Sequence, residues 1–420
     1  MSATSSPTPA HVPAHLVFDV DVGSVAEEGF MTDPFKLWAH LKDVPPVFWS
    51  NRKVDGTRLT GSWVVTSADA IRAIMQDTEH FSHERGRFNM SEDSGSAAMN
   101  SLIPLFLDPP EHGKYRALLA PVFSPKSIDA VEQSLRGLSA ELIDGFADTG
   151  ECEFMSAYAR PFPVIVFMRM MGLPLEGRDQ FIEWEHQLTQ GETVEQRTAA
   201  SVAVGQTLYG LIQQRRASPQ DDIVSRLVAA EVDGAPLTPD KLMGICMLLY
   251  LAGLDTVAAG LGHTVRYLAE HPEVQARLRA HPDLIPDAVE ESLRYHTWLP
   301  TGRMCVKDID FMAAPFRAGD WVQAILWGAS NDPRENERPR EFLVPREPNR
   351  HFAFGAGVHR CAGSHLARRE MRIGIRMLLE RLGEFRIKPG ARLRYDGGMV
   401  CLGDLPLEWD MQHSGLRGTA

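Results

Sequence analysis

Phe354-Gly355-Ala356-Gly357-Val358-His359-Arg360-Cys361-Ala362-Gly363 runs directly into Ser364-His365-Leu366-Ala367-Arg368-Arg369, so a glycine-rich loop delivers one cysteine to the start of a helix. Leu366, Met371, Ile375, Leu378 and Leu379 continue at helical spacing. Amide N–H groups and the helix dipole at such a start favour the thiolate, the form that a metal ligand or a nucleophile needs. Gly355, Gly357 and Gly363 let the backbone turn tightly and approach a flat ligand closely. The residues alone leave Cys361 several roles: a small buried hydrophobe, a zinc ligand with His351, His359 and His365, the nucleophile of a hydrolase with His359 as base, or the ligand of another metal group. No Cys-x-x-Cys or His-x-x-x-His knuckle supports zinc, and a base two residues from its nucleophile is awkwardly placed.

Working outward, helices dominate. Leu135, Leu138, Leu142 and Ile143 share one helical face. Asp108-Pro109-Pro110-Glu111 is arranged as an N-cap, a first-turn proline and a capping-box glutamate, and it puts His112 and Arg116 on one face of the helix that follows. Thr238-Pro239-Asp240 opens a helix free of proline until Pro272, roughly 50 Å long. Its segment Leu242 to Gly262 is apolar enough to span a bilayer, but Asp255 and Thr256 sit near the middle, and a buried central helix is the better reading. Strand-like pieces at Trp63–Val65, Trp321–Leu326 and Met399–Leu402 predict small sheets, hence a mainly α fold with minor β.

The 420 residues carry a net charge of −12, which argues against general affinity for nucleic acid or anionic lipid. Five widely spaced cysteines are unlike a secreted disulfide framework and indicate reduced thiols in the cytoplasm. Residues 1–15 read as a frayed tail without a signal-peptide pattern, and residues 16–420 as one domain without repeats or a separating linker.

The cysteine loop resembles the heme-binding loop of the cytochrome P450 family, F-G-x-G-x-H-x-C-x-G, at all six fixed positions. The resemblance implies a single triangular-prism-like domain, with heme b buried between the long central helix and the cysteine loop. It makes the Cys361 thiolate the iron ligand that favours O–O cleavage. Ala252-Gly253-Leu254-Asp255-Thr256 looks like the family's oxygen-activation motif, with Asp255 relaying protons and Thr256 steadying the activated oxygen. Gly253 permits local widening, and a threonine can bond back to the carbonyl four residues earlier. Glu291 and Arg294 resemble the E-x-x-R helix, and Arg346 fits the third member of that structural network. His112, Arg116, Arg303 and His359 are the candidates for the heme carboxylates, alongside Phe354, Gly355 and Gly363 of the loop.

Within the family the chain is most similar to the bacterial camphor hydroxylase group. That likeness implies a soluble monomeric monooxygenase that uses O2, a small apolar substrate and electrons from a [2Fe-2S] ferredoxin fed by an NADH-dependent reductase. It points to Asn100, Leu248, Leu251, Trp298, Leu299 and Val400 as pocket lining. Camphor hydroxylases carry tyrosine where Asn100 aligns, a departure that puts camphor itself in doubt and leaves a norisoprenoid ketone or another monoterpenoid. Between Arg346 and Arg376 seven arginines face Glu347 and Glu370, and Arg72, Lys114, Arg360 and Arg368 are candidates for steering an acidic ferredoxin. A peroxide-driven heme enzyme and a non-catalytic heme sensor are the alternative readings.

Overall fold

Thr238 caps the central helix as its sequence predicts. The side chain accepts from the Lys241 N–H, Pro239 fills the first helical position, and the helix Pro239–Glu270 runs unbroken for 32 residues. In this computed structural model of the chain, residues 8–20, 35, 41, 43–52, 61–84, 102–191, 193–396 and 400–410 are described. The central helix is long and apolar enough to cross a membrane, but protein covers most of its surface. Leu242, Ile245, Cys246 and Tyr250 are buried towards the helices Pro161–Met171 and Val194–Ala217. Ala258, Ala259, Leu261, Val265 and Leu268 are buried towards Ile285–His296 and Ser364–Arg381. Gly260 permits the close approach on that side, since a Cβ there would lie 2.7 Å from the Trp298 ring and 3.0 Å from Met371.

Between these buried halves, Leu251, Ala252, Gly253 and Thr256 keep accessible surface in the middle of a core helix. A Cβ built on Gly253 would meet open space. The helix is therefore closed by packing at both ends and open at its centre, where the Asp-Thr pair sits.

The β structure lies to one side. A five-stranded sheet has the order Val47–Ser50, Ser62–Val65, Trp321–Ala324, Thr301–Cys305, Phe81–Ser82. All its pairings are antiparallel except Trp321–Ala324 with Ser62–Val65, where Val322 lies opposite Trp63. This sheet carries Arg303 on one strand and ends, at Ser82, against the loop before helix Glu111–Leu119. The predicted Trp63–Val65 strand forms as Ser62–Val65, and the predicted Trp321–Leu326 strand stops at Ala324 because Leu326 begins a short helix. Of the piece predicted at Met399–Leu402, Cys401–Leu402 pairs with Tyr395–Asp396, and Met399 lies outside the described residues.

Two local expectations are corrected. The predicted tail is not frayed from residue 8 onward: Thr8 bonds Asn51, the His11 ring reaches Asp320 at 2.9 Å, Val12 is buried, and a 3-10 turn forms at Ala14–Leu16. The composition of that segment says nothing of these partners, which arrive from far along the chain. The capping box at Asp108 does not form either. The helix begins at Glu111, with Pro110 at its cap. The Asp108 carboxylate instead accepts from the Ser82 hydroxyl and, at 3.0 Å, from the His83 N–H, while its main-chain carbonyl accepts from His112. Two donors converging on the carboxylate outcompete one helix-end amide.

Candidate active site

The cysteine loop is built by its glycines. Gly355 and Gly357 have φ of 66° and 69°, and a Cβ on Gly357 would overlap the Met75 carbonyl oxygen, so only glycine fits. Cys361 N–H donates to the Phe354 carbonyl at 2.9 Å and closes the loop, and helix Ser364–Arg381 follows. Phe354 is held beneath the Arg368 guanidinium at 4.3 Å. A Cβ on Gly363 would enter open space, so that glycine leaves room beside the cysteine instead of relieving a strained turn.

Cys361 is exposed among the chain's cysteines, whereas Cys246, Cys305 and Cys401 are buried. Its thiol nevertheless sits among protein atoms in the wall of the site. Burial pushes its pKa up, against the Gly363 N–H and the charges of Arg116, Arg360 and Arg368, which pull it down. The expectation that the helix start alone would favour the thiolate is thus outweighed by desolvation. A bound cation at Sγ would reverse the balance, because a coordinating thiol gives up its proton.

On one flank of the loop the structure brings together all four predicted carboxylate-binding residues. The His359 and His112 ring centroids are 4.3 Å apart, and Arg116 donates to the Arg360 carbonyl at 2.5 Å. Arg303 is buried and donates to Thr301 Oγ1 and the Gly302 carbonyl, close neighbours on its own strand. A fifth member, His83, places its ring 4.8 Å from His359. Sequence reasoning missed His83, because nothing in Phe81-Ser82-His83 marks it before the Asp108 clamp is seen.

None of these five groups forms an ion pair with a carboxylate among the described residues. Burial, then the neighbouring His83, Arg303, His112 and Arg116, push His359 down to about 2. Burial, then Arg303, push His83 down to about 3. Burial lowers Arg303 to about 10, with only Asp108 opposing, and lowers His112 and Arg116 as well. His359 Nε2 is buried with no hydrogen-bond partner among the described residues. Such a cluster is costly unless an anionic group completes it.

On the central helix the Thr256 hydroxyl donates back to the Ala252 carbonyl at 3.1 Å, the bond expected of it. Asp255 is buried, and its Oδ2 has no partner among the described residues. Of the pocket candidates, Leu248, Leu251 and Leu299 keep accessible apolar surface. Trp298 and Val400 are buried: Trp298 crowds Gly260, and the Val400 carbonyl accepts from the His263 ring at 2.6 Å. Asn100 lies outside the described residues.

Behind the loop, Glu291 and Arg294 form a two-bond pair at 2.8 Å, both fully buried, and Arg346 bonds the same carboxylate at 2.9 and 3.0 Å. Leu343 N–H and Asn349 add further donors to Glu291. The surplus of arginines read from 346 to 376 is mostly neutralised by distant acids. Arg368 and Arg372 share Glu290, Arg350 takes Glu335, and Arg369 takes Asp129 and Glu132. Of the steering candidates, Arg72 pairs with Glu335, Lys114 with Asp233 and Glu111, and Arg368 with Glu290. Arg360 remains exposed and without an ion pair among the described residues. It lines a surface depression of about 450 Å³ with Arg72, Arg350, Phe354 and Gly357. No group of His, Cys, Asp and Glu suited to a metal ion occurs among the described residues, which removes the zinc reading.

The comparisons with known proteins agree with this geometry. A cytochrome P450 family model matches residues 186–394. Probable cytochrome P450 127A1 of Sinorhizobium fredii is 37% identical over 410 residues, covering 96% of this chain and 97% of that protein. Among solved structures, CYP101J2 matches with a TM-score of 0.85 and 34% identity, over 96% of this chain and 100% of that one. CYP101C1 matches with the same TM-score and coverage at 31% identity. The chain belongs to the cytochrome P450 family. It is an oxidoreductase with the P450 fold, and the cofactor of that family is heme b with its iron ligated by a cysteine thiolate.

The residues fit that group. Gly253 and Gly363 each leave space that a Cβ would fill, Cys361 is accessible beside Gly363, and five nitrogen-bearing side chains without acidic partners await carboxylates.

Proposed function

We propose that the chain is a heme-thiolate monooxygenase that inserts one oxygen atom from O2 into a small hydrophobic substrate, with electrons from a [2Fe-2S] ferredoxin and its NADH-dependent reductase. When bound, the heme supplies oxygen activation and electron transfer. The observation that carries the reading is the pairing of an accessible loop cysteine with a cluster of histidines and arginines that forms no ion pair with an acid among the described residues. Cys361 is assigned to the iron, and His112, Arg116, Arg303 and His359 to the two carboxylates.

Thr256, its proton committed to the Ala252 carbonyl, turns hydroxyl lone pairs to the open centre of the helix, where they can hold a proton near reacting oxygen. Asp255, with one unpartnered carboxylate oxygen, is the group that passes a proton onward. Leu248, Leu251 and Leu299 offer an aliphatic wall that suits a monoterpenoid or norisoprenoid. Arg360, exposed and without an ion pair among the described residues, is assigned to an acidic partner. A cytoplasmic monomer agrees with the cysteine usage and with a central helix covered by its own fold.

The test is a spin-state titration of the ferric protein against terpenoids, norisoprenoid ketones, fatty acids and aromatic acids. A low-to-high-spin shift with terpenoids or norisoprenoids supports the substrate class, and a shift confined to acids overturns it. Cys361→Ala should abolish the thiolate-ligated reduced carbon monoxide spectrum. Thr256→Ala should lower product formed per NADH, and an unchanged yield would remove its proton role. Turnover driven by peroxide at the ferredoxin-supported rate would favour the peroxide-dependent alternative.

A further inference from the structure

His83 belongs to none of the family motifs in this sequence, yet it is fastened as carefully as any residue of the site. Its N–H donates to Asp108 Oδ1 at 3.0 Å, and the preceding Ser82 hydroxyl donates to the other oxygen of the same carboxylate. Its ring Nδ1 lies 2.6 Å from the Leu105 carbonyl. Phe106 packs against the ring at 5.5 Å and His359 meets it edge-on at 4.8 Å. The side chain is half-buried, and no carboxylate is paired with it among the described residues.

We propose that His83 is a further anchor for the heme carboxylates, supplied by this chain from the end of its Phe81–Ser82 strand. The inference rests on the heme reading and adds a residue to it. A carbonyl oxygen can only accept, so Nδ1 carries the proton of the neutral ring and donates to Leu105. Nε2, directed away from that carbonyl, then carries a lone pair. To bind a carboxylate it must take a proton from solvent, and the product is a charge-assisted N–H···O bond.

The groups facing His83 come from four places: Arg303 on strand Thr301–Cys305, His112 on helix Glu111–Leu119, His359 in the cysteine loop, and Asp108 in the loop before that helix. Burial, then Arg303 and His112, disfavour a proton on His83, Asp108 is engaged with main-chain and hydroxyl donors, and His359 Nε2, unpartnered among the described residues, needs an acceptor when it carries the ring proton. An incoming carboxylate neutralises Arg303 and supplies that acceptor in one step. The proton on His83 is therefore stabilised only once the anion is in place.

The test uses the ferric holoenzyme and follows heme transfer to excess apomyoglobin for the wild type, His83→Gln, His83→Phe and His83→Lys. At neutral pH, Gln and Phe should release heme roughly tenfold faster, the equivalent of one charge-assisted bond, while Lys stays near wild type. The ratio of Phe to wild-type rates should fall toward one as pH rises and wild-type His83 loses its proton. Taking the ratio cancels the pH dependence shared through Cys361. Parallel profiles at equal rates in all four proteins would overturn the proposal, as would a Lys variant as fast as Phe, which marks a packing role. A wild type without a thiolate-ligated spectrum would bring down the heme reading and this inference together; a normal spectrum with unaltered heme loss brings down the inference alone.

Discussion

Two clusters of ionisable side chains flank the cysteine loop, and they are opposites. Behind it, the Glu291 carboxylate is met by Arg294, Arg346, Asn349 and a main-chain N–H, so every charge has a partner within the protein. Beside it, His83, His112, Arg116, Arg303 and His359 crowd together with no ion pair to an acid among the described residues, and burial above all lowers their proton affinities. A compensated cluster holds the fold, whereas an uncompensated one is shaped for something the chain does not itself contain. The same residue types thus serve structure or binding according to whether the counter-charge is encoded in the sequence.

The sharpest way to break the comparison is to unbalance the satisfied cluster. Glu291→Gln should cost about 3–5 kcal/mol, because it strands two buried guanidinium groups, and chemical denaturation should register it with or without heme. Next in size is the pH response of Glu290. Burial alone would raise its pKa, but hydrogen bonds from His351 and Arg368 overcome that and take it from 4.5 to about 2. Its stabilisation is complete above pH 4.5 and is lost as pH falls towards 2, on the order of 3 kcal/mol in all. Glu290→Gln should flatten the acid limb of a stability-against-pH curve, and an unchanged limb would remove Glu290 from the account.

Arg303→Met sharpens the contrast from the other side. In the heme-free chain it should leave stability unchanged or raise it, since it removes an unpaired buried cation, whereas the heme-loaded protein should release heme roughly tenfold faster. Equal destabilisation of both forms would make Arg303 a structural residue like Arg294. The smallest effect is expected at the surface. Arg360→Ala should slow reduction by ferredoxin severalfold at low salt and little at high salt, measured by stopped-flow, with the spin-state response unaltered.

Much of the site was legible because its signals are local. The φ values demanded at Gly355 and Gly357, the Thr238 cap with Pro239, and the i,i+3 spacing of Glu291 and Arg294 each act within a few residues of chain. The family motifs carried the four carboxylate-binding candidates, and the fold does bring those four together. The pocket was less legible. Leu248, Leu251 and Leu299 keep free surface whereas Trp298 and Val400 are buried, and an apolar residue reads alike in either setting.

The sequence by itself determined the glycine-built turns of the cysteine loop and the capped central helix, since hydrogen-bond geometry and periodicity are properties of neighbours, and family resemblance marked the Asp255-Thr256 centre and the E-x-x-R pair. Only the tertiary structure decided which charges are satisfied. Asp108 abandoned its helix to clamp Ser82 and His83, Glu290 drew in Arg368 and Arg372, and His83 joined His359 across the site. Pairing and burial depend on which distant residue arrives, and no local pattern in the chain encodes that arrival.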